Sequence, residues 1–127
     1  MRVLITGSRS LNNERSKYFI YFILKNRIDK EKDIVIHGGA PGVDMIAEEW
    51  CEYNKVQTKV VRPIHKNQSI YYLHRNAEMI GICDKVIAFW DNKSRGTQFT
   101  IDYARERGVP VEVLSFNQGE NDEKTTR

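Results

Sequence analysis

A chain of 127 residues, 40% of them apolar and 29% charged, has the size and makeup of one ordinary globular domain, long enough to bury about two-thirds of its unfolded surface. Its net charge of +3 is slight and its basic clusters are broken by acids, which argues against a dedicated nucleic-acid binder. No apolar run approaches the ~20 residues of a membrane span, and no secretory h-region follows Met1 and Arg2, so Cys51 and Cys83 are expected to be reduced, buried thiols of a cytoplasmic protein.

Residues 2–6 form a short apolar run closed by Gly7, Ser8, Arg9 and Ser10, the pattern of a buried first strand. Gly7 lets the backbone turn, while Ser8 and Arg9 set a hydroxyl and a guanidinium beside it, groups suited to a phosphate or carboxylate. The structural alternative has Ser8 capping the next helix and Arg9 solvated. Asn12 or Asn13 can cap a helix running to about Lys30, with Glu14 in its first turn. Its middle, Tyr18-Phe19-Ile20-Tyr21-Phe22-Ile23-Leu24, is equally compatible with a strand. A helix is preferred because two parallel strands need a crossover of about this length. A helix apolar all round has to be covered on more than one side. That predicts a homodimer through the segment from Tyr18 to Leu24.

Residues 33–37 are the second strand and lead into His37-Gly38-Gly39-Ala40-Pro41-Gly42-Val43-Asp44. An apolar run that stops at two glycines and resumes as a helical pattern is a strand delivering the chain to a helix N-terminus. Such a turn aims backbone N–H groups and the positive end of a helix dipole at one spot, where an anion fits. From Gly42 onward, Val43, Ile46, Ala47 and Trp50 follow helical spacing, with Glu48, Glu49 and Glu52 facing away and Pro41 near the first position. Asp44 either complements the dipole or contacts a ligand hydroxyl.

Residues 58–61 are a third strand ended by Arg62 and Pro63, and the loop 64–68 is polar and basic. A helix over 69–80 carries His74, Arg75 and Asn76 on one side, with Leu73, Ala77 and Ile80 toward the core. His37, His65 and His74 are read as satisfied structural or surface groups. Arg75 and Asn76 are different, because together they set two polar heads where one ligand can be read. Residues 83–89 are the fourth strand, buried over 86–89, followed by Trp90 and Asp91. Ser94, Arg95, Gly96 and Thr97 then open a helix whose N-terminus is a second anion site. Its expected inner residues are Phe99, Ile101 (or Thr100), Tyr103 and Ala104. Trp90 either stacks on a base at the pocket edge or is simply packed. Gly108 to Pro110 end this helix and residues 111–114 are the fifth strand. The domain is expected to span 1–116, with 117–127 a disordered polar tail.

Strand and helix alternating five times predict an α/β fold, a Rossmann-like open parallel sheet of about five strands with helices on both faces. The strand-exit loops at Gly7, Gly38 to Gly42 and Ser94 to Thr97 then share one edge, together with Trp90 and Arg75. Ligands bind along that edge where the strand order reverses. Neither glycine turn ends in Gly-Lys-Ser/Thr, so a P-loop ATPase is excluded. No Gly-x-Gly-x-x-Gly with a downstream acid supports a dinucleotide reductase, no Cys/His spacing supports a metal site, no Ser–His–Asp arrangement is legible, and no cofactor is expected.

The ordered set Thr6-Gly7-Ser8-Arg9, His37-Gly38-Gly39-Ala40-x-Gly42-x-Asp44, Arg75-Asn76-x-x-Met79 and Ser94-Arg95-Gly96-Thr97 resembles the SLOG superfamily, nearest its YspA-like branch, over residues 1–114. The resemblance implies a Rossmann-like domain that binds nucleotides or their derivatives. Its relatives include the LOG phosphoribohydrolases, the DprA recombination mediators, and defence sensors of cyclic ADP-ribose-type signals. In the LOG enzymes an Arg-Lys-x-x-Met motif supplies a catalytic arginine, which Arg75 matches. Their Pro-Gly-Gly-x-Gly-Thr-x-x-Glu motif supplies a glutamate to the sugar, and Thr100 stands at that place here. A neutral hydroxyl cannot stabilise a developing oxocarbenium ion as a carboxylate does. Asp91, Asp44 or Asp102 are the candidate replacements, although Asp102 should point elsewhere around its helix.

The expectation is therefore a protein that senses or sequesters a nucleotide or phosphorylated nucleoside derivative, such as an ADP-ribose-type molecule. Gly38, Gly39, Gly42, Gly96 and Thr97 would hold phosphate. Arg9, Arg75 and Arg95 would supply charge, and Trp90 or Asn76 would meet base or sugar. The alternative is an N-glycosidase acting on nucleoside 5′-monophosphates, with Arg75 and Asp91 as candidate catalytic residues. A single-stranded DNA-binding module ranks third, since it wants a continuous basic groove with exposed aromatics.

Overall fold

Every interior residue of β1 (Arg2–Gly7) is apolar or a threonine because both faces of this strand are covered. In the computed structural model, which describes residues 1–65 and 69–116, Val3 and Ile5 enter one core and Leu4 enters a second on the other side of the sheet. The chain continues through α1 (Glu14–Arg27), β2 (Ile34–His37), α2 (Val43–Asn54), β3 (Gln57–Val60), α3 (Ser69–Ile82), β4 (Lys85–Trp90), α4 (Arg95–Glu106) and β5 (Val111–Ser115). The strands form one parallel sheet in the order β3-β2-β1-β4-β5. The chain steps outward from β1 to β3, returns through α3, and continues on the other side of β1. Right-handed crossovers then place α1 and α2 on one face and α3 and α4 on the other. The two cores follow that division. Ile20, Ile23, Leu24, Val43, Ala47 and Trp50 pack against Val3, Ile5, Ile87 and Phe89, while Met79, Ile80, Ile101 and Ala104 pack against Leu4, Val86 and Ala88.

The α/β fold, the five parallel strands and the helices on both faces match the expectation. The boundaries moved for local reasons. α1 is capped by Asn13, whose side chain accepts from the Ser16 N–H at 2.9 Å, and it stops at Arg27 rather than near Lys30. The Asp29 carboxylate accepts the Glu31 and Lys32 N–H groups at 3.0 and 3.2 Å, making a local turn that competes with the helix. β3 sits one residue earlier than the spacing suggests. It is an edge strand with three of its four residues exposed, so hydrophobic patterning marks it poorly. The residues of the seven-apolar run in α1 divide between surroundings: Ile20, Ile23 and Leu24 enter the core, whereas Tyr18 and Phe22 are 66% and 63% exposed. Glu48 does not face away as the helical spacing predicts but turns inward to His37.

Cys51 is buried and Cys83 half-buried, and both are free. Burial pushes their thiols up to about 12 and about 11. Among the described residues no helix is long and apolar enough to cross a membrane. The tail 117–127 and most of the basic loop, residues 66–68, lie outside the described residues.

Gly42, the N-cap of α2, has φ 89 and ψ −125, a region open essentially to glycine alone, and a Cβ there would stand 2.8 Å from the Arg9 Cα. Gly42→Ala is expected to lower stability by at least ~1–3 kcal/mol from backbone strain. Gly81 faces open space within α3. Gly81→Ala should therefore raise stability by roughly 0.5 kcal/mol, and urea unfolding of the two variants checks both signs.

Candidate functional site

The strand order reverses between β1 and β4, and a cavity of about 310 Å³ opens at the C-terminal ends of the strands there. The exit of β1 contributes Thr6, Gly7, Arg9 and Ser10. The exit of β2 contributes Ala40 and Asp44, α3 contributes Tyr72, Arg75, Asn76 and Met79, and the β4–α4 turn contributes Asp91, Ser94, Gly96 and Thr97. The two glycine turns thus open onto one space, as the sequence predicts.

The β2 exit loop is organised by its own side chains. Asp44 is buried, and its Oδ2 accepts the Gly38 N–H at 3.0 Å and the Ala40 N–H at 3.1 Å. The Gly39 N–H donates to His37 Nδ1 at 3.0 Å, and the other ring nitrogen of His37 lies 2.6 Å from Glu48 Oε1. Since Nδ1 accepts, Nε2 carries the proton and donates. The amides of Gly38 and Gly39, expected to face an anion, are therefore occupied by Asp44 and His37. Burial drives the Asp44 carboxyl above its ordinary value, opposed by the Ala40 amide, His37, Arg75 and the Gly38 amide. His37 is a structural group, buried between this loop and α2.

What the glycines admit is a guanidinium. A Cβ on Gly38 would fall on the side chain of Arg75. Arg75 is 7% exposed; its Nη1 donates to Gly38 O at 2.5 Å and to Val61 O at 3.3 Å, and its Nε to Asn76 Oδ1 at 2.9 Å. This one side chain joins the exits of β2 and β3 to α3. Among the described residues its second terminal nitrogen has no hydrogen-bond acceptor, and Arg75 lines the cavity. Burial lowers the Arg75 pKa, Asp44 opposes that, and the charges of Arg9 and Arg62 add to it. The guanidinium carbons of Arg9 and Arg75 lie 5.4 and 5.5 Å from the centroid of the same Tyr72 ring, within cation–π range.

Across the cavity, Ser94 caps α4, its Oγ 3.4 Å from the Thr97 N–H. Asp91 Oδ1 accepts the Lys93 and Ser94 N–H groups, both at 2.8 Å, and its Oδ2 accepts from Ser10 Oγ at 2.7 Å. Burial opposes ionisation of Asp91, yet the Ser10 hydroxyl, these two amides and Ser8 together hold its carboxyl below the ordinary range. A Cβ built on Gly96 meets nothing within 4 Å. The first N–H groups of a helix lack intrahelical partners, so this end offers an uncovered amide beside empty space.

Of the predicted site residues, Gly7, Arg9, Asp44, Arg75, Asn76, Ser94, Gly96 and Thr97 line the cavity, as does the candidate Asp91. Six do not line it. Ser8 is fully buried and its Oγ accepts the Asp91 N–H at 3.0 Å. Gly38, Gly39 and Gly42 lie behind the loop. Arg95 is exposed outside the cavity lining. Trp90 is packed: its indole N–H donates to Ser94 O at 3.0 Å and its ring lies against the α3–α4 core. Asn76 and Arg75 are buried whereas His74 is exposed, so the three do not share a face. Thr100 is fully buried and its hydroxyl donates to Gly96 O at 3.0 Å, and Asp102 is exposed. Thr6, Ser10, Ala40 and Tyr72 escaped the sequence reading. Tyr72 carried a signal all the same, an aromatic one helical turn from the polar Arg75–Asn76 pair. Among the described residues no cluster of His, Cys, Asp and Glu could hold a metal ion.

Residues 1–67 match the model of the family described as YAcAr: YspA, cpYpsA-related SLOG family. Gene 61 protein of Mycobacterium phage D29 is 30% identical over 119 residues, covering 87% of this chain and 93% of that protein. The DNA processing protein A of Streptococcus pneumoniae shares the fold with a TM-score of 0.77 at 18% identity, over 88% of this chain. The chain spans only 49% of that structure. The Helicobacter pylori DNA processing protein A, a structure described for its single-stranded DNA binding mode, superposes with a TM-score of 0.74 at 23% identity, over 98% of this chain and 73% of that one.

Burial works against the Glu48 carboxylate, but the hydrogen bond from His37 prevails and holds it below its ordinary value of 4.5. A carboxyl depressed in the folded state contributes stability that is complete above the unfolded value and is lost as the pH falls through the folded one. Wild type should therefore lose more stability than Glu48→Gln between pH 5 and 3, read from urea midpoints. Parallel pH profiles would refute the pairing.

Proposed function

The chain belongs to the YspA, cpYpsA-related SLOG family, and from that premise we propose that its cavity binds the phosphate of a nucleotide or phosphorylated nucleoside derivative, to sense or sequester it. The observation that carries this reading is the opposition of two elements across one space. Arg9 and Arg75, stacked on a common Tyr72, face the N-terminus of α4 with its uncovered Gly96. A helix N-terminus and guanidinium groups both favour an anion, and they reinforce each other in a partly enclosed site. Asn76 and Tyr72 are then the groups placed to meet sugar or base. An ADP-ribose-type molecule fits this description, and the protein would act in the cytoplasm.

Binding is favoured over hydrolysis by Thr100. Its hydroxyl is turned back onto its own helix, so α4 brings no carboxylate to the cavity at that position. For an N-glycosidase the remaining candidate acid is Asp91, whose oxygens are engaged by Ser10 and the α4 cap. The second reading is single-stranded DNA, because cations beside a half-exposed aromatic also suit stacked bases and phosphates.

The same reading includes a homodimer through α1. Tyr18 and Phe22 are exposed beside Tyr53, which is 87% exposed, along a groove of about 740 Å³ between α1 and α2. Sedimentation velocity should show a dimer that Phe22→Glu converts to monomer; a wild-type monomer at micromolar concentration would end the dimer reading.

A panel of nucleotides and ADP-ribose at saturating concentration should raise the melting temperature by about 5 °C or more for at least one member. Gly96→Ala should fold unchanged, since its methyl meets no protein atom, yet weaken that ligand about tenfold. Chromatography of the incubated ligand should show no free base. Absence of any shift across the panel would defeat the proposal, and a response to oligonucleotides alone that fades steeply with salt would transfer it to DNA.

A further inference from the structure

The cavity is lined by two carboxylates, and they differ in how far they are satisfied. Both oxygens of Asp91 have donors, Oδ1 from the Lys93 and Ser94 amides and Oδ2 from Ser10. Asp44 takes the Gly38 and Ala40 amides through Oδ2 alone, and its Oδ1 has no hydrogen-bond donor among the described residues. Asn76 is divided in the same way. Its Oδ1 accepts from Arg75 Nε, which can only donate, so its Nδ2 is the end left without an acceptor. The two side chains are 6% and 8% exposed. Among the described residues no fully buried side-chain nitrogen or oxygen lacks a partner. The two unpartnered atoms therefore reach open space, and both residues line the cavity. They flank one guanidinium, since Asn76 is hydrogen-bonded to Arg75 and the charge of Asp44 reaches it. Arg62, by contrast, covers Gly39 from an exposed position and lines no part of the cavity.

A buried carboxylate oxygen without a donor is costly, and an incoming anion would meet it as a like charge. What relieves it is a neutral group that donates. A hydroxyl does so while accepting from Asn76 Nδ2, and a carboxylate is the usual partner of a ribose hydroxyl in doubly wound folds. The edge of a base also both donates and accepts. Arg75, however, borders both this pair and the proposed phosphate position, and the unit of a nucleotide joined directly to the phosphate is the sugar. We infer that Asp44 Oδ1 and Asn76 Nδ2 form a sugar-hydroxyl subsite, which makes the cavity select ribose-bearing phosphates over those whose sugar lacks the hydroxyls. The inference rests on the phosphate-binding reading of the cavity and adds the sugar. The phosphate lies toward Arg9 and the α4 N-terminus, and the ribose lies on the Asp44 side of Arg75. A DNA strand has no free hydroxyl along its sugars and would leave Asp44 Oδ1 unsatisfied.

The test is isothermal titration of the full chain with the four ribonucleoside 5′-monophosphates and their 2′,3′-dideoxy counterparts. For the base that binds, the ribose form is expected to be at least about tenfold tighter, the worth of one hydrogen bond to a charged group. Asp44→Asn keeps an oxygen for the two loop amides and puts a donor in place of Oδ1, so it should bring the ribose form down to the dideoxy affinity. Should that variant fail to fold, Asn76→Ala, which removes the donor of the pair, should lower the ratio, and a ratio it leaves unchanged overturns the inference. Equal wild-type affinities for ribose and dideoxy forms overturn it while the cavity reading stands, as does a folded Asp44→Asn protein that keeps the full ratio. Failure of all eight to bind overturns the cavity reading itself and this inference with it. Oligothymidylate bound by a protein that takes none of the eight assigns the cavity to DNA and overturns it too.

Discussion

A guanidinium can lie flat against a main chain only where no side chain stands in its way, and the edge of this sheet is built around that constraint. Arg75 is buried against Gly38 and donates to carbonyls from two strand exits, so its position fixes those of β2, β3 and α3 relative to one another. A buried cation is tolerable only with hydrogen bonds and compensating charge. Gly38, Val61 and Asn76 supply the first and Asp44 the second. Asp44 in turn is tolerable because two amides of the glycine loop point at it. Loop, aspartate and arginine are thus mutually required: the loop keeps its shape because the carboxylate gathers its amides, and the arginine keeps its place because the loop has no side chains.

This coupling explains where the sequence was legible and where it was not. Strand and helix order, the parallel sheet and the convergence of the exit loops follow from periodicity and glycine placement, which act locally. The glycine turn itself was legible as a turn, but its chemistry was not. Backbone amides beside a helix N-terminus suggest an anion, and nothing in the spacing reveals that the anion is the protein's own Asp44. His37 and Glu48 illustrate the same limit. Helical phase puts Glu48 outside, yet a histidine buried at the end of β2 draws the carboxylate back across the helix surface. Trp90 was readable only as an aromatic at a strand end; the carbonyl that holds its indole N–H comes from the turn that follows. Arg62 looked like strand punctuation next to Pro63. Its one sequence signal was the second of two glycines, which asks for something bulky close by.

The two ends of the cavity differ in electrical character. At the β4 end, the carboxylate of Asp91 is tied to Ser10 and to the first amides of the α4 cap, leaving Gly96 bare. At the β2–β3 end, cations exceed carboxylates. One end therefore presents backbone dipoles and the other an anchored guanidinium. The position where the resemblance to the LOG enzymes implies an acid is here a threonine whose hydroxyl is spent on its own helix.

The sheet order has one more consequence. β1 lies at the centre, and its pairing with β4 sets Val3 opposite Lys85 and Gly7 opposite Phe89. During synthesis the earliest strand therefore waits for roughly eighty further residues before its second neighbour exists, and such distant pairing is slow to form. Until β4 clears the ribosome, the apolar residues of β1 have one partner strand and one covering layer, and the edge that will border the cavity is an open seam. Nascent chains of this fold should accordingly be most in need of chaperone shelter in the interval between the emergence of α2 and that of β4.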